Sequence, residues 1–226
     1  MKVCVFDAYG TLFDVAAAAR DYASTLPDSD PLTREWTALA ETWRVKQLEY
    51  TWLRAASDRH CDFWSVTKDA LDFALEAHRV PAEAHQDGLL QLYRRLGPYP
   101  EAGAALRRLR EAGTPCAILS NGEPGMLAAA VENAGFSDML AAVISVEEVG
   151  AFKPSPKVYA LATERFRCDR GDVLFFSSNG WDVCSAAAYG FRTIWVNRRQ
   201  APVDRLGARP DHIVGDLSQA VEVALS

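Results

Sequence analysis

The residues able to do chemistry stand in short polar clusters, each directly behind an apolar run. Asp7 closes the run Val3, Cys4, Val5, Phe6 and is followed by Gly10 and Thr11. Leu119 is followed by Ser120, Asn121 and Gly122, and the apolar run at Val143 leads on to Ala151, Phe152, Lys153 and Pro154. Phe176 leads into Ser177, Ser178, Asn179, Gly180, Trp181 and Asp182. A carboxylate at the end of a buried strand, with a turn and a hydroxyl behind it, is placed to be a reactive group. Each residue also has a plainer reading. Asp7 can cap a turn; Lys153 can be a solvated loop residue ahead of a Ser155-Pro156 helix start; Asn179 can cap a helix that carries Asp182 near its positive end. The four histidines, His60, His78, His85 and His212, lie outside every cluster. A Ser-His-Asp or Cys-His mechanism therefore has no evident base.

What would bring these clusters together is a parallel sheet. The unbroken run Val3 to Phe6 lacks helical spacing and reads as a strand buried on both faces. From Pro100 onward helix and strand alternate: helices over 101–112, 124–134, 155–166 and 182–189, and strands over 114–119, 140–146, 173–176 and 193–196. A short edge strand near Ile213 and a final helix complete the chain. Such alternation implies βαβ units in a doubly wound α/β sheet. Parallel strands deliver their carboxyl ends to one edge, so Asp7, Thr11, Ser120, Lys153, Ser177, Asn179 and Asp182 should converge there.

Between the first strand and the alternating part lies a block of different character. Asp14 reads as the N-cap of a helix running through VAAAARDYASTL, and Pro27 to Pro31 is a turn-rich loop. Residues 32–96 read as several helices without a strand, broken at Pro81 and closed by Gly97, Pro98 and Pro100. The expected division is a core of residues 1–14 and 98–226 and an inserted helical domain of residues 15–97. Its longest helix shows Trp36, Leu39, Trp43, Tyr50 and Leu53 near a heptad stripe, read as core or a subunit contact. Arg44 shares a second face with Leu48 and Trp52. An arginine framed by apolar groups either snorkels or holds an anion in a dry pocket.

At 226 residues the chain can bury a large core. Its net charge of −6 argues against nucleic acid or an anionic membrane as partner and favours a small molecule. The five cysteines are scattered without a CxxC pair, so neither a disulfide framework nor a zinc site is indicated. Met1 and Lys2 lead straight into a strand too short for a signal peptide, and no apolar run is long enough to span a bilayer, so the expected compartment is the cytoplasm.

The motifs FDAYGTLFD, WRVKQLEYTWLR, LSNG, FKP with Tyr159 following, and SSNGWD closely resemble the haloacid dehalogenase superfamily, and more narrowly its L-2-haloacid dehalogenase (type II) branch. The resemblance runs from Val3 to the final helix. It implies a Rossmann-like core with a helical cap, and a hydrolytic reaction on (S)-2-haloalkanoic acids. Superfamily phosphatases carry a second aspartate two residues after the nucleophile, where this chain has Tyr9, and commonly pair acids in the last loop, where this chain has a lone Asp182. The oxygen-rich shell that magnesium prefers is thinned, so no cofactor and no metal are expected.

Laid on these residues, the resemblance implies that Asp7 attacks C2 to give an ester with inversion. Lys153 keeps Asp7 ionised, Thr11 orients it, and Tyr159 orients the lysine or the substrate. Arg44 and Asn121 cradle the halide. Tyr9, Leu48, Phe63 and Trp181 surround the alkyl group, and Ser120 with nearby amides holds the carboxylate. A water positioned by Asp182, Asn179 and Ser177 then cleaves the ester. Glu123 and Gly180 are the positions the family pattern does not require, and Gly180 is expected to loosen the loop holding Asp182. A homodimer is expected, as in family relatives. The rival readings are a metal-dependent phosphatase of the same fold and a non-catalytic binding protein.

Overall fold

The computed structural model describes residues 2–226; Met1, the first residue of the opening stretch, lies outside the described residues. The chain divides into two compact units, one of Met1–Phe13 with Pro98–Ser226 and one of Asp14–Gly97.

The first unit is built on a parallel sheet of six strands: β1 Val3–Phe6, β2 Cys116–Ser120, β3 Ala142–Ser145, β4 Val173–Ser177, β5 Arg192–Val196 and β6 His212–Val214. Their order is β3-β2-β1-β4-β5-β6. β1 is central, with Cys4 beside Cys116 on one flank and Leu174 on the other, so all four of its residues are buried. That position explains the absence of polar alternation in its sequence. The chain builds outward from β1 through β2 to β3, then returns to lay down β4 against the other side of β1. This reversal opens a crevice beyond the ends of β1 and β4, where doubly wound sheets bind ligands.

The second unit contains four helices: α1 Ala17–Ala23, α2 Pro31–Ala56, α3 Phe63–Ala77 and α4 Ala82–Arg94. α1 is shorter than expected. Asp14 is not its N-cap; it accepts from Ala16 N at 3.1 Å in a local turn, and the helix begins three residues later. At the other end the Ser24 and Thr25 hydroxyls donate to the carbonyls of Asp21 and Tyr22, local bonds that compete with helix propagation.

The buried face of α2 also differs from the expected stripe. It comprises Leu32, Leu39, Trp43, Gln47 and Thr51, while Leu53 is 56 % exposed and Trp36 and Tyr50 are half-buried. From Leu39 the face advances in steps of four, through two polar residues that an apolar stripe misses. Gln47 is tolerated inside because its Nε2 donates to Thr67 Oγ1 at 2.8 Å and to Tyr93 Oη at 3.0 Å. Trp43 completes this neutral network by donating from Nε1 to Thr67 O at 2.9 Å.

The remaining helices all belong to the sheet unit: α5 Ala102–Glu111, α6 Pro124–Asn133, α7 Pro156–Phe166, α8 Gly180–Tyr189 and α9 Leu217–Leu225. No helix among the described residues is long and apolar enough to cross a membrane.

Candidate active site

Asp7 stands one residue past β1, and its backbone N–H donates to Phe176 O at 2.8 Å, which carries the pairing with β4 one step beyond the strand. The side chain is therefore fixed at the switch point. Its two oxygens are held differently. Oδ1 accepts from Lys153 Nζ at 3.1 Å, whereas Oδ2 accepts from Thr11 Oγ1 at 3.0 Å and Asn179 Nδ2 at 2.9 Å.

Lys153 follows the buried Phe152 and is itself 1 % exposed. Its backbone N–H donates to Asn121 Oδ1 at 2.9 Å, so the loop after β2 sets where the lysine leaves its own loop. Besides Asp7, Nζ donates to Asp182 Oδ2 at 2.9 Å, and it lies 4.9 Å from the centroid of the Phe175 ring. Asp182, fully buried in the first turn of α8, accepts from Tyr159 Oη on its other oxygen at 2.8 Å. Tyr159 was expected to orient the lysine or the substrate. Its hydroxyl bonds Asp182 instead, so it reaches Lys153 only through that carboxylate.

One cation thus lies between two carboxylates in a space nearly free of water. Burial alone would lower the Lys153 ammonium, but the charges of Asp182 and then Asp7 outweigh it and hold the group above the ordinary lysine range. Burial pushes the Asp182 carboxyl above the ordinary aspartate range; the Lys153 charge opposes that rise, Asp7 adds to it, and the bonds from Lys153 and Tyr159 restrain it. Burial and the neighbouring Asp182 push the Tyr159 hydroxyl well up, so it remains a donor.

A divalent ion of the kind used by superfamily phosphatases does not fit this donor set. Both carboxylates already accept from the one ammonium, and the position two residues after Asp7 carries a Tyr9 ring. Among the described residues no group of three His, Cys, Asp or Glu side chains is arranged to hold a metal.

The other expected residues of this unit gather at the same edge. Ser120 Oγ accepts from Gly122 N at 3.0 Å and Ser177 Oγ from Asn179 N at 3.1 Å, so each hydroxyl closes the turn after its strand. Asn179 is the N-cap residue of α8, yet its side chain makes no cap and reaches Asp7. The Tyr9 ring lies against Gly122, where an added Cβ would come within 2.8 Å of it, so the glycine of LSNG is what lets the ring lie there. Trp181 is half-buried in the first turn of α8. Arg44, Leu48 and Phe63 belong to the helical unit: the first two half-buried one turn apart on α2, the third buried at the start of α3.

The two unrequired positions have structural reasons. Glu123 is the N-cap of α6, accepting from Gly125 N and Met126 N. Gly180 does not loosen its loop: it is the first residue of α8, and a Cβ there would fall 2.5 Å from Asp204 Oδ2 and 3.3 Å from Trp195.

Sequence reasoning passed over Ser178, flanked by the two residues it chose. Ser178 N donates to Thr11 Oγ1 at 2.8 Å and Ser178 Oγ to Gly10 O at 2.6 Å. Thr11 Oγ1 thus accepts that N–H and has two acceptors within reach of its own proton, Ser178 Oγ at 3.2 Å and the nearer carboxylate oxygen Asp7 Oδ2 at 3.0 Å, which as a charged acceptor makes the stronger bond. A third polar residue in the run SSN was the available sign.

Comparison with known proteins agrees with this geometry. Residues 1–190 match the family model described as haloacid dehalogenase-like hydrolase. The chain is 39 % identical over 226 residues to (S)-2-haloacid dehalogenase 1 of Pseudomonas sp. (strain CBS-3), spanning all of this chain and 97 % of that protein. It is 45 % identical over 199 residues to the (S)-2-haloacid dehalogenase of Xanthobacter autotrophicus, 88 % of this chain and 76 % of the other. The solved structure of L-2-haloacid dehalogenase from Xanthobacter autotrophicus with chloropropionic acid covalently bound superposes with a TM-score of 0.87 at 38 % identity, covering 100 % of this chain and 99 % of that one.

Proposed function

The chain belongs to the haloacid dehalogenase-like hydrolases and, within them, to the (S)-2-haloacid dehalogenases, and from that membership and the environment of Asp7 we propose that it hydrolyses (S)-2-haloalkanoic acids to (R)-2-hydroxy acids and halide. The observation that carries this reading is the asymmetry of the Asp7 carboxylate, with one donor on Oδ1 and two on Oδ2.

Oδ1, the less encumbered oxygen, attacks C2 in line with the halide. The new C–O bond forms as the carbon–halogen bond breaks, and the halide leaves with the electron pair. Oδ2 becomes the ester carbonyl oxygen. When water adds to Cγ, the charge that develops on Oδ2 meets Thr11 Oγ1 and Asn179 Nδ2 already in place. Collapse breaks the Cγ–Oδ1 bond and the departing alkoxide oxygen takes up the second proton of that water, so Oδ1 departs in the hydroxy acid and the water oxygen stays in the Asp7 carboxylate. Asp182 takes the proton of that water, with Ser177 and Asn179 shaping the turn around it.

By the same proposal Arg44 and the Asn121 NH2 serve the halide, and Tyr9, Leu48, Phe63 and Trp181 the alkyl group. Ser120 and the amides after β2 take the substrate carboxylate. The Lys153 ammonium supplies the cation this chemistry needs, so the activity is metal-independent. The exposed Val45, Trp52 and Leu53 on α2 and Phe73 on α3 favour a homodimer through the helical unit. Five free cysteines favour the reducing cytoplasm.

The test is halide release from (S)-2-chloropropionate in excess EDTA, run beside the (R)-enantiomer and beside p-nitrophenyl phosphate with magnesium. Chloride from the (S)-acid alone, and heavy oxygen in Asp7 after one turnover in labelled water, are the expected results. Magnesium-dependent phosphate release without chloride would replace the proposal with a phosphatase.

A further inference from the structure

Asp7 owes its geometry to the loop that follows it, and that loop is held from outside at three successive carbonyls. Gly10 O accepts from Ser178 Oγ at 2.6 Å, Thr11 O from Arg198 Nη2 at 3.1 Å, and Leu12 O from Tyr99 N at 2.9 Å. The middle support is an arginine far along the chain that is not itself among the expected site residues.

Arg198 is itself firmly mounted. It stands two residues past β5, in a loop that Asn197 closes by donating from Nδ2 to Ala201 O and accepting from Ala201 N, both at 2.9 Å. Asn197 N also donates to Val214 O at 2.8 Å, tying the loop to β6. The guanidinium lies 3.7 Å from the centroid of the Tyr99 ring and donates from Nη1 to Glu101 Oε1 at 2.6 Å. The side chains of Arg198 and Glu101 are only 19 % and 20 % exposed. An exposed ion pair would contribute little. This one is sheltered, stacked, and has a second fork nitrogen aimed at a backbone oxygen, a geometry that only a planar guanidinium supplies.

We propose that Arg198, held by Glu101 and Tyr99, is a positioning residue for Asp7, acting through the Thr11 backbone to set the direction of the Thr11 hydroxyl. Thr11 is fully buried, and its hydroxyl proton is one of the two donors on Asp7 Oδ2. Shifting the Thr11 carbonyl moves that donor and with it the carboxylate that must line up with C2. The proposal rests on the reading of Asp7 as nucleophile.

The experiment compares Arg198→Met and Arg198→Lys with wild type, each also combined with Thr11→Val. Arg198→Met should lower kcat by about 10- to 100-fold, the order expected for a reacting group misplaced by under an ångström, while KM changes less than about threefold. Arg198→Lys keeps the charge beside Glu101 but lacks the fork; it should keep the wild-type Tm and still lose kcat. In the Thr11→Val background neither change should cost much more, because the hydroxyl through which Arg198 acts is gone.

A kcat within twofold of wild type in Arg198→Met, or a full multiplicative loss in the Thr11→Val background, overturns the proposal. A reading that does not depend on turnover is amide hydrogen exchange at Thr11, Leu12 and Phe13, whose N–H groups donate to Ala8 O. Faster exchange in Arg198→Met and Arg198→Lys is expected, and unchanged exchange overturns the proposed support. Wild type that releases no halide yet exchanges faster on losing Arg198 would count against the dehalogenase reading and leave the support intact.

Discussion

Each unit of this protein buries a polar cluster, and the two are built on opposite terms. In the helical unit Gln47, Thr67, Tyr93 and Trp43 form a neutral network in which each of these polar groups meets a partner. In the sheet unit two buried carboxylates, Asp7 and Asp182, share the single Lys153 ammonium. A neutral network costs little to bury once satisfied and fixes how helices pack. A buried charged cluster is expensive, and replacing such pairs by apolar groups is often neutral or stabilising. The first cluster has the properties of structure and the second those of a reactive site. Substitutions should therefore separate activity from stability differently in the two places.

The sharpest break is Asp7→Asn, which should lower kcat by at least about 10⁴-fold, as expected for loss of a covalent nucleophile. Tm should hold or rise, because one of the two buried carboxylates is removed while Lys153 keeps Asp182. Next is Lys153→Met. It leaves two carboxylates facing each other and should both abolish halide release and cost about 3–5 kcal/mol in denaturant unfolding, the range for breaking a buried pair from one side. The same cluster predicts an alkaline limit. Because the folded-state Lys153 lies above the ordinary value of 10.5, its contribution is complete below that pH and fades as pH rises past it. Wild type should lose Tm there more steeply than Lys153→Met.

Tyr159→Phe should act more gently, lowering kcat by roughly 10- to 100-fold, in line with removal of one hydrogen bond to a charged group. The pH profile separates this from a packing defect. The Tyr159 bond favours the ionised form of Asp182, so its loss lets Asp182 protonate at a higher pH. The acid limb of kcat should move upward, and an unmoved limb would remove Asp182 from the proton step. The smallest expected effect on activity belongs to the neutral network: Gln47→Leu should cost about 1–2 kcal/mol of stability through loss of the buried bonds to Thr67 Oγ1 and Tyr93 Oη and leave kcat unchanged.

Much of the sheet unit was legible in the chain. Val3 to Phe6 could be read as a strand buried on both faces because a strand covered on both sides tolerates no polar alternation. The gathering of Asp7, Lys153, Asn179 and Asp182 followed from parallel strands ending on one edge. The face of α2 was not legible, since Gln47 and Thr51 are buried by virtue of partners on other helices and no periodicity marks such partners. Ser178 was hidden between Ser177 and Asn179, because composition cannot say which of three adjacent polar residues turns toward Thr11.

The sequence by itself therefore determined that the polar strand ends share one edge, because that depends on residue type and on the one-directional geometry of parallel strands, while the roles expected of Asp7 and Lys153 came from the family resemblance. Tertiary structure alone decided that Tyr159 serves Asp182, that Gly122 makes room for the Tyr9 ring, and that Arg198 reaches the Thr11 carbonyl. These are contacts between segments distant along the chain, and only packing fixes which of many available donors meets which acceptor.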